Sequence, residues 1–132
     1  MKFGSGQPVR RSEDARFLAG HGQYTDDLRF PLESHAAFLR SPHAHARLLS
    51  IDTEAARAMP GVVGVLTNKD AEAFGAGTMP CQAPIPCRDG TIAKLTPQPL
   101  LAKDRVRFVG EAIAMVVAET LAQAQDALDA IA

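Results

Sequence analysis

The run Ala112-Ile113-Ala114-Met115-Val116-Val117-Ala118 constrains this chain more than any other stretch. It holds no charge and is rich in β-branched and small apolar side chains, so it reads as a central strand covered on both faces. Gly110 and Glu111 precede it, and Thr120 follows as the N-cap of a closing helix. In that helix Leu121, Ala124, Leu128 and Ile131 fall at i, i+3, i+7 and i+10, one apolar stripe. Burying such a stripe contributes roughly 1.5–3 kcal/mol for each large side chain.

Upstream, the elements are shorter. Residues 1–33 read as an N-terminal arm and loop, with a helix over Glu13–Leu18 capped by Ser12. Acidic Glu13 and Asp14 in its first turn complement the helix dipole. Gly20 and Gly22 end it, and Asp26, Asp27 and Pro31 keep Tyr24–Leu32 as loop. Ser34–Arg40 and Ala46–Ile51 read as strands by alternation. Asp52 or Thr53 caps a helix over Glu54–Met59, stopped by Pro60-Gly61. Val62–Thr67 is a β-branched strand, and Thr67 or Asn68 caps a brief helix reaching Ala73. Leu100–Ala102 and Arg105–Val109 are further strand candidates. Residues 74–99 hold five of the nine prolines and both cysteines, and a loop of that length is usually functional, docked on a partner, or partly disordered. This order of elements predicts one α+β domain over residues 1–132, with a mixed sheet packed by short helices.

A chain of 132 residues has room for one ordinary domain. Fourteen basic residues almost cancel fifteen acidic ones, tryptophan is absent, and no basic stripe with interleaved aromatics occurs. Nucleic acid and anionic membranes are therefore not expected partners. Met1–Gly6 lacks the apolar run of a secretory signal, and no apolar run approaches a membrane span. With two cysteines, a reducing cytoplasm is the expected compartment.

One stretch invites a chemical reading. Phe38-Leu39-Arg40-Ser41-Pro42-His43-Ala44-His45-Ala46-Arg47 places two of the four histidines around a Ser-Pro bend. If extended, it turns His43 and His45 to one side. A zinc site needs three or four protein ligands, and the remaining candidates are His21, His35, Cys81 and Cys87. The cysteines lie too far apart in a proline-rich loop to form a zinc-module pair, so His43 and His45 are expected to hydrogen-bond backbone around the bend. Glu13-Asp14 and Asp26-Asp27 are adjacent and point apart, which suits helix and turn chemistry better than acid–base catalysis. Glu111 is the one acid expected to be enclosed, bridged to Arg40, Arg105 or Arg107. Gly20-x-Gly22 and Gly75-x-Gly77 lack the third glycine of a dinucleotide cradle. Cys87 has only Arg88 as an activating neighbour and is expected to be inert. From the residues alone, the chain offers a scaffold without an active site.

Several phrases occur together and in order. Arg11-Ser12-Glu13-Asp14-x-Arg16-Phe17-Leu18-x-Gly20-x-Gly22-x-Tyr24-x-Asp26-Asp27 resembles the opening of molybdenum-hydroxylase large subunits. That family takes in aerobic carbon monoxide dehydrogenase, xanthine dehydrogenase and aldehyde oxidase. The likeness continues through Arg40–Ala46, Ile51-Asp52 and Pro60-Gly61-Val62-Val63-x-Val65-Leu66-Thr67. Leu101-Ala102-x-Asp104-x-Val106-Arg107-x-Val109-Gly110-Glu111 and the alanine-rich final helix complete it. Pro31-Leu32 departs from it, since relatives often have proline-glycine there, which weakens the expected turn.

The resemblance implies an α/β-hammerhead fold, the N-terminal structural domain of a longer, molybdopterin-binding oxidoreductase subunit. It implies that the molybdenum–pterin cofactor and the catalytic residues belong to later domains, with iron–sulfur clusters and FAD on partner subunits or domains. No catalytic, cofactor-binding or metal-binding residue is carried over to this chain, which is expected to be inactive alone. Its expected partners are the remaining domains of the same subunit and the iron–sulfur and flavin portions, which it would brace and dock. The alternative is a stand-alone interaction or assembly subunit without catalysis. A small hydrolase or metalloprotein built on His43 and His45 is the least favoured reading.

Overall fold

A computed structural model describes residue 6 and residues 8–80, 85–94 and 97–132. The chain divides into two compact units between Glu33 and Ser34.

In the first unit, helix α1 spans Asp14–Leu18 and buries none of its residues. Its N-cap is Glu13, not the expected Ser12, and the start is fastened instead by Asp14, whose carboxylate accepts the Arg11 N–H at 3.1 Å. A carboxylate reaches back over one turn more easily than a serine hydroxyl and also suits the positive end of the helix. A 3₁₀ turn over Thr25–Asp27 interrupts the expected loop, with the Asp27 carboxylate accepting the Tyr24 N–H at 2.9 Å. The weakened turn at Pro31-Leu32 nevertheless forms. The Glu33 N–H reaches the Phe30 carbonyl at 3.3 Å, and Leu32 takes up φ 62°. That left-handed position costs a side-chain-bearing residue roughly 1–2 kcal/mol relative to glycine.

The second unit is built on a three-stranded sheet in the order β1-β5-β3, with β1 His35–Arg40, β3 Val62–Leu66 and β5 Ala112–Ala118. A two-residue ladder pairs β2, Ala46–Arg47, with β4, Arg105–Val106. Strands and short helices combine as the α+β class requires. The mixed sheet takes the form of two small sheets whose described pairs are all antiparallel. β1 and β3 run the same way, but β5 is inserted between them in the opposite direction, so no parallel neighbours remain. Each contact of β5 also carries a register shift, between Leu39 and Arg40 and between Val62 and Gly64. The second shift leaves Val63 outside the one-to-one pairing, 65 % exposed, where Gly64 permits the local bend.

Three helices accompany the sheet: α2 Glu54–Arg57, α3 Asn68–Ala73 and α4 Leu121–Asp129. The Asp52 carboxylate accepts the Glu54 N–H at 3.0 Å at the start of α2. α2 stops two residues short of the expected Met59. Ala58 and Met59 tighten into i→i+3 bonds before Pro60, and Gly61 supplies a φ of 78°. α4 begins as expected, with Thr120 Oγ1 accepting the Gln123 N–H at 3.2 Å.

The core lies between α4, α2 and one face of the sheet. Ala56, Val65, Val116, Ala118, Ala124 and Ala127 are fully buried there, with Leu128 and Ile131 packed against them. The apolar stripe of α4 is therefore Ala124, Ala127, Leu128 and Ile131, and Leu121 is 48 % exposed instead of belonging to it. Alanines let the helix backbone approach the sheet closely, while Leu121 sits in the first turn, before the helix meets the core. β5 is central, as expected, but fully buried on one face only. Ala114, Val116 and Ala118 are buried, and Ile113, Met115 and Val117 on the other face are only partly covered.

Three other strand expectations shorten. β2 covers two residues instead of Ala46–Ile51, because its partner β4 is equally short and Leu49 turns out to solvent at 85 % exposure. β4 stops at Val106 instead of reaching Val109, because the chain turns there over Arg107–Gly110; the Arg107 N–H, which points away from β2 in this register, is held by the Glu111 side chain. Leu100–Ala102 forms no strand. Ala102 makes one bond to the Ala112 carbonyl at 2.8 Å, and Leu101 and Ala102 are buried where the chain arrives.

Candidate functional site

The Ser-Pro bend after β1 is held by its backbone. Ser41 is buried, and its Oγ accepts the His43 N–H and donates to the His43 carbonyl, each at 3.0 Å. The Ser41 N–H donates to the Glu111 carbonyl at 2.9 Å, and the Gly110 N–H donates to the Ser41 carbonyl at 2.8 Å. Arg40 Nη1 adds a bond to the Gly110 carbonyl at 2.8 Å. The bend is thereby clamped to the turn that precedes β5.

Neither imidazole takes part in this arrangement. His43 and His45 are exposed, and neither side chain makes a hydrogen bond or ion pair with the described residues. The backbone bonds expected of these histidines come from the Ser41 hydroxyl, a short side chain that needs no ring orientation to reach them. Among the described residues no three His, Cys, Asp or Glu side chains gather in a way that could hold a metal ion. Cys81 lies outside the described residues, and Cys87 is an exposed free thiol.

Glu111 is the enclosed acid anticipated from the sequence, 5 % exposed. Of its three candidate partners, Arg107 is the one it meets. The carboxylate accepts the Arg107 backbone N–H, and its other oxygen lies 4.0 Å from the Arg107 guanidinium. Arg105 turns instead to Asp104 at 3.1 Å. Glu111 thus fixes the turn over Arg107–Gly110, at whose end Gly110 has φ 88°. The other acid pairs are local devices: Glu13 pairs with Arg16 at 2.6 Å, and Asp14 and Asp27 cap their own turns.

Sequence reasoning overlooked a second polar node. The Asp70 carboxylate accepts the Thr67 N–H at 2.7 Å and the Thr67 hydroxyl at 2.8 Å, with Arg57 Nη2 3.8 Å away. Thr67-x-x-Asp70 is a capping-box spacing, and that signal was available from the residues alone. The Thr67 backbone N–H, then its hydroxyl and the Arg57 charge, hold the Asp70 carboxyl below its usual range. A carboxyl lowered in the folded state stabilises fully above the unfolded value of about 3.9, and that contribution is lost as pH falls through the folded value. Asp70→Asn is therefore expected to flatten the fall in melting temperature as pH drops below about 4. Thermal unfolding across that range checks this, and an unchanged slope rules the node out as a source of acid sensitivity.

Two isolated bridges lie within the described residues of the 74–99 segment. Met79 bridges Gln98 and Pro86 bridges Ile92, and the Cys87 N–H meets the Thr91 carbonyl at 2.7 Å around Arg88-Asp89-Gly90. Beside its two ends, Lys103 pairs with Glu72 at 2.8 Å, which raises the lysine's pKa and lowers the glutamate's.

What emerges is a clamped scaffold with no converging set of reactive groups among the described residues. Residues 19–132 match the model of the aldehyde oxidase and xanthine dehydrogenase a/b hammerhead domain, and the chain belongs to that family. It is 46 % identical over 126 residues to the nicotine 6-hydroxylase large subunit of Paenarthrobacter nicotinovorans, covering 96 % of this chain and 15 % of that protein. It is 39 % identical over 128 residues to the carbon monoxide dehydrogenase large chain of Afipia carboxidovorans, covering 97 % of this chain and 14 % of that one. The crystal structure of quinoline 2-oxidoreductase from Pseudomonas putida 86 superimposes with a TM-score of 0.78 at 43 % identity, covering 94 % of this chain and 15 % of that one. The chain thus spans about one seventh of the length of these relatives. Among the described residues, no helix is long and apolar enough to cross a membrane.

Proposed function

We propose that this chain acts as the N-terminal hammerhead domain of the large subunit of a molybdenum-hydroxylase-type oxidoreductase. In this reading it braces the catalytic domains and docks the iron–sulfur portion, in the cytoplasm, and has no activity by itself. The observation that carries the proposal is a family match over residues 19–132 to a domain that makes up about one seventh of each relative. A rigid clamp between the Ser41 bend and the Gly110-Glu111 turn suits a load-bearing role, since it fixes two loops with backbone bonds.

The molybdenum–pterin cofactor belongs, in this proposal, to the rest of the subunit, with iron–sulfur clusters and FAD on partners. The described side chains do not fit a seat for the metal, because no three potential ligands converge. No catalytic step is assigned to this chain.

Purifying the 132-residue chain alone tests the reading. Elemental analysis and visible absorbance are expected to show no molybdenum or pterin, and oxidation assays no turnover. Stoichiometric molybdenum, or hydroxylation by the isolated chain, overturns it. Light scattering of a size-exclusion peak, alone and with candidate neighbouring subunits, separates a domain of a longer chain from a stand-alone assembly subunit.

A further inference from the structure

We infer that the face of the β1-β5-β3 sheet away from α4 is the seat of an apolar segment contributed by the rest of the large subunit, an inference that rests on the reading just proposed. Met115 stands opposite Phe38 on one side and Leu66 on the other, so three large apolar side chains form one row across the sheet. They are on the face away from α4, because their neighbours Ala114, Val116 and Val65 point into the core. Phe74, Leu100 and Leu101 wall this row into a groove of about 440 Å³. Phe74 opens the 74–99 segment and Leu100 and Leu101 follow it, and the Glu72–Lys103 pair lies beside both.

The lining decides what can occupy the groove. It consists of hydrocarbon and one thioether, with Phe38 42 %, Phe74 79 % and Leu100 48 % exposed. A small-molecule site needs a few placed polar groups to orient its ligand, and this groove offers none among its lining side chains. A second copy related by a two-fold axis would set groove against groove and leave both unfilled. The groove instead fits a convex apolar segment. About six-sevenths of each relative lies outside the part that this chain matches, so such a subunit has ample chain to supply one. An exposed apolar patch of this kind marks an interaction surface.

The test compares the free chain with a chimera. In the chimera, this chain replaces the matching segment of the nicotine 6-hydroxylase large subunit. Peroxide oxidation of Met115, read by mass spectrometry, is expected to be about tenfold slower in the chimera, since burial removes the thioether from solvent. The double variant Phe74→Ser/Leu100→Ser is expected to leave the melting temperature of the free chain unchanged and to lower the soluble yield of the chimera severalfold. A soluble chimera whose Met115 reacts as fast as in the free chain overturns the groove assignment and leaves the domain reading standing. A chimera that fails to accumulate where the parent subunit does overturns the domain reading itself. Protection of Met115 in the free chain at high concentration, lost with the double variant, assigns the groove to a second copy and also overturns the inference. Met115 is read in the unsubstituted chain, so the result holds even if the double variant unfolds.

Discussion

Val116→Ala is expected to destabilise the unit from Ser34 to Ala132 by about 2–3 kcal/mol. Val116 is fully buried at the centre of β5, opposite Ala37 in β1 and Val65 in β3. The helix side of its pocket is formed by Ala124 and Ala127, which have no side chain beyond Cβ with which to close a void. The cavity left by two methyl groups therefore persists, and its contribution adds to the lost burial. For a unit of this size the melting temperature should fall by roughly 10 °C or more. Val63→Ala is the control, because Val63 is 65 % exposed and belongs to the same sheet. Its effect should stay within about 0.5 kcal/mol. Equal effects of the two substitutions would show that α4 does not pack on β5 as described.

Glu111→Ala is the second large effect, a loss of about 1.5–3 kcal/mol. The Glu111 carboxylate is enclosed and serves as acceptor for the Arg107 N–H. Removing it leaves that N–H without its partner and frees the turn over Arg107–Gly110. Glu111→Gln retains an acceptor oxygen of nearly the same reach and should recover at least half of the loss. Denaturant unfolding gives the energies, and amide exchange at Arg107 reports the bond directly, faster in the alanine variant and slower again in the glutamine one. If glutamine does no better than alanine, the charge facing the Arg107 guanidinium, and not the backbone bond, holds the turn.

Local signals were legible wherever one short stretch carried the whole of its own cause. Thr120 before an alanine-rich run capped α4, Pro60-Gly61 ended α2, and Thr67 opened α3. Glu111 was marked as the enclosed acid because it adjoins the most apolar run, but its partner among three arginines was not. That choice depends on how the turn over Arg107–Gly110 folds back, which no spacing in the chain states. The histidine pair misdirects for the opposite reason: two imidazoles two residues apart look like ligands until a third group is required. The resemblance to molybdenum-hydroxylase large subunits came from widely separated phrases taken together, each weak by itself.

The sequence by itself determined that β1, β3, β5 and the four helices form, and which family the chain resembles. These follow from backbone preferences, capping and apolar periodicity, all local. Only the tertiary structure decided that β5 enters between β1 and β3, because strand pairing joins residues far apart in the chain. That insertion selects Ala124 and Ala127, not Leu121, to meet the sheet. It also leaves Met115 in a row with Phe38 and Leu66 on a face that α4 does not cover. A run apolar enough to be buried on both sides is thus buried fully on one, and the other is left as the groove.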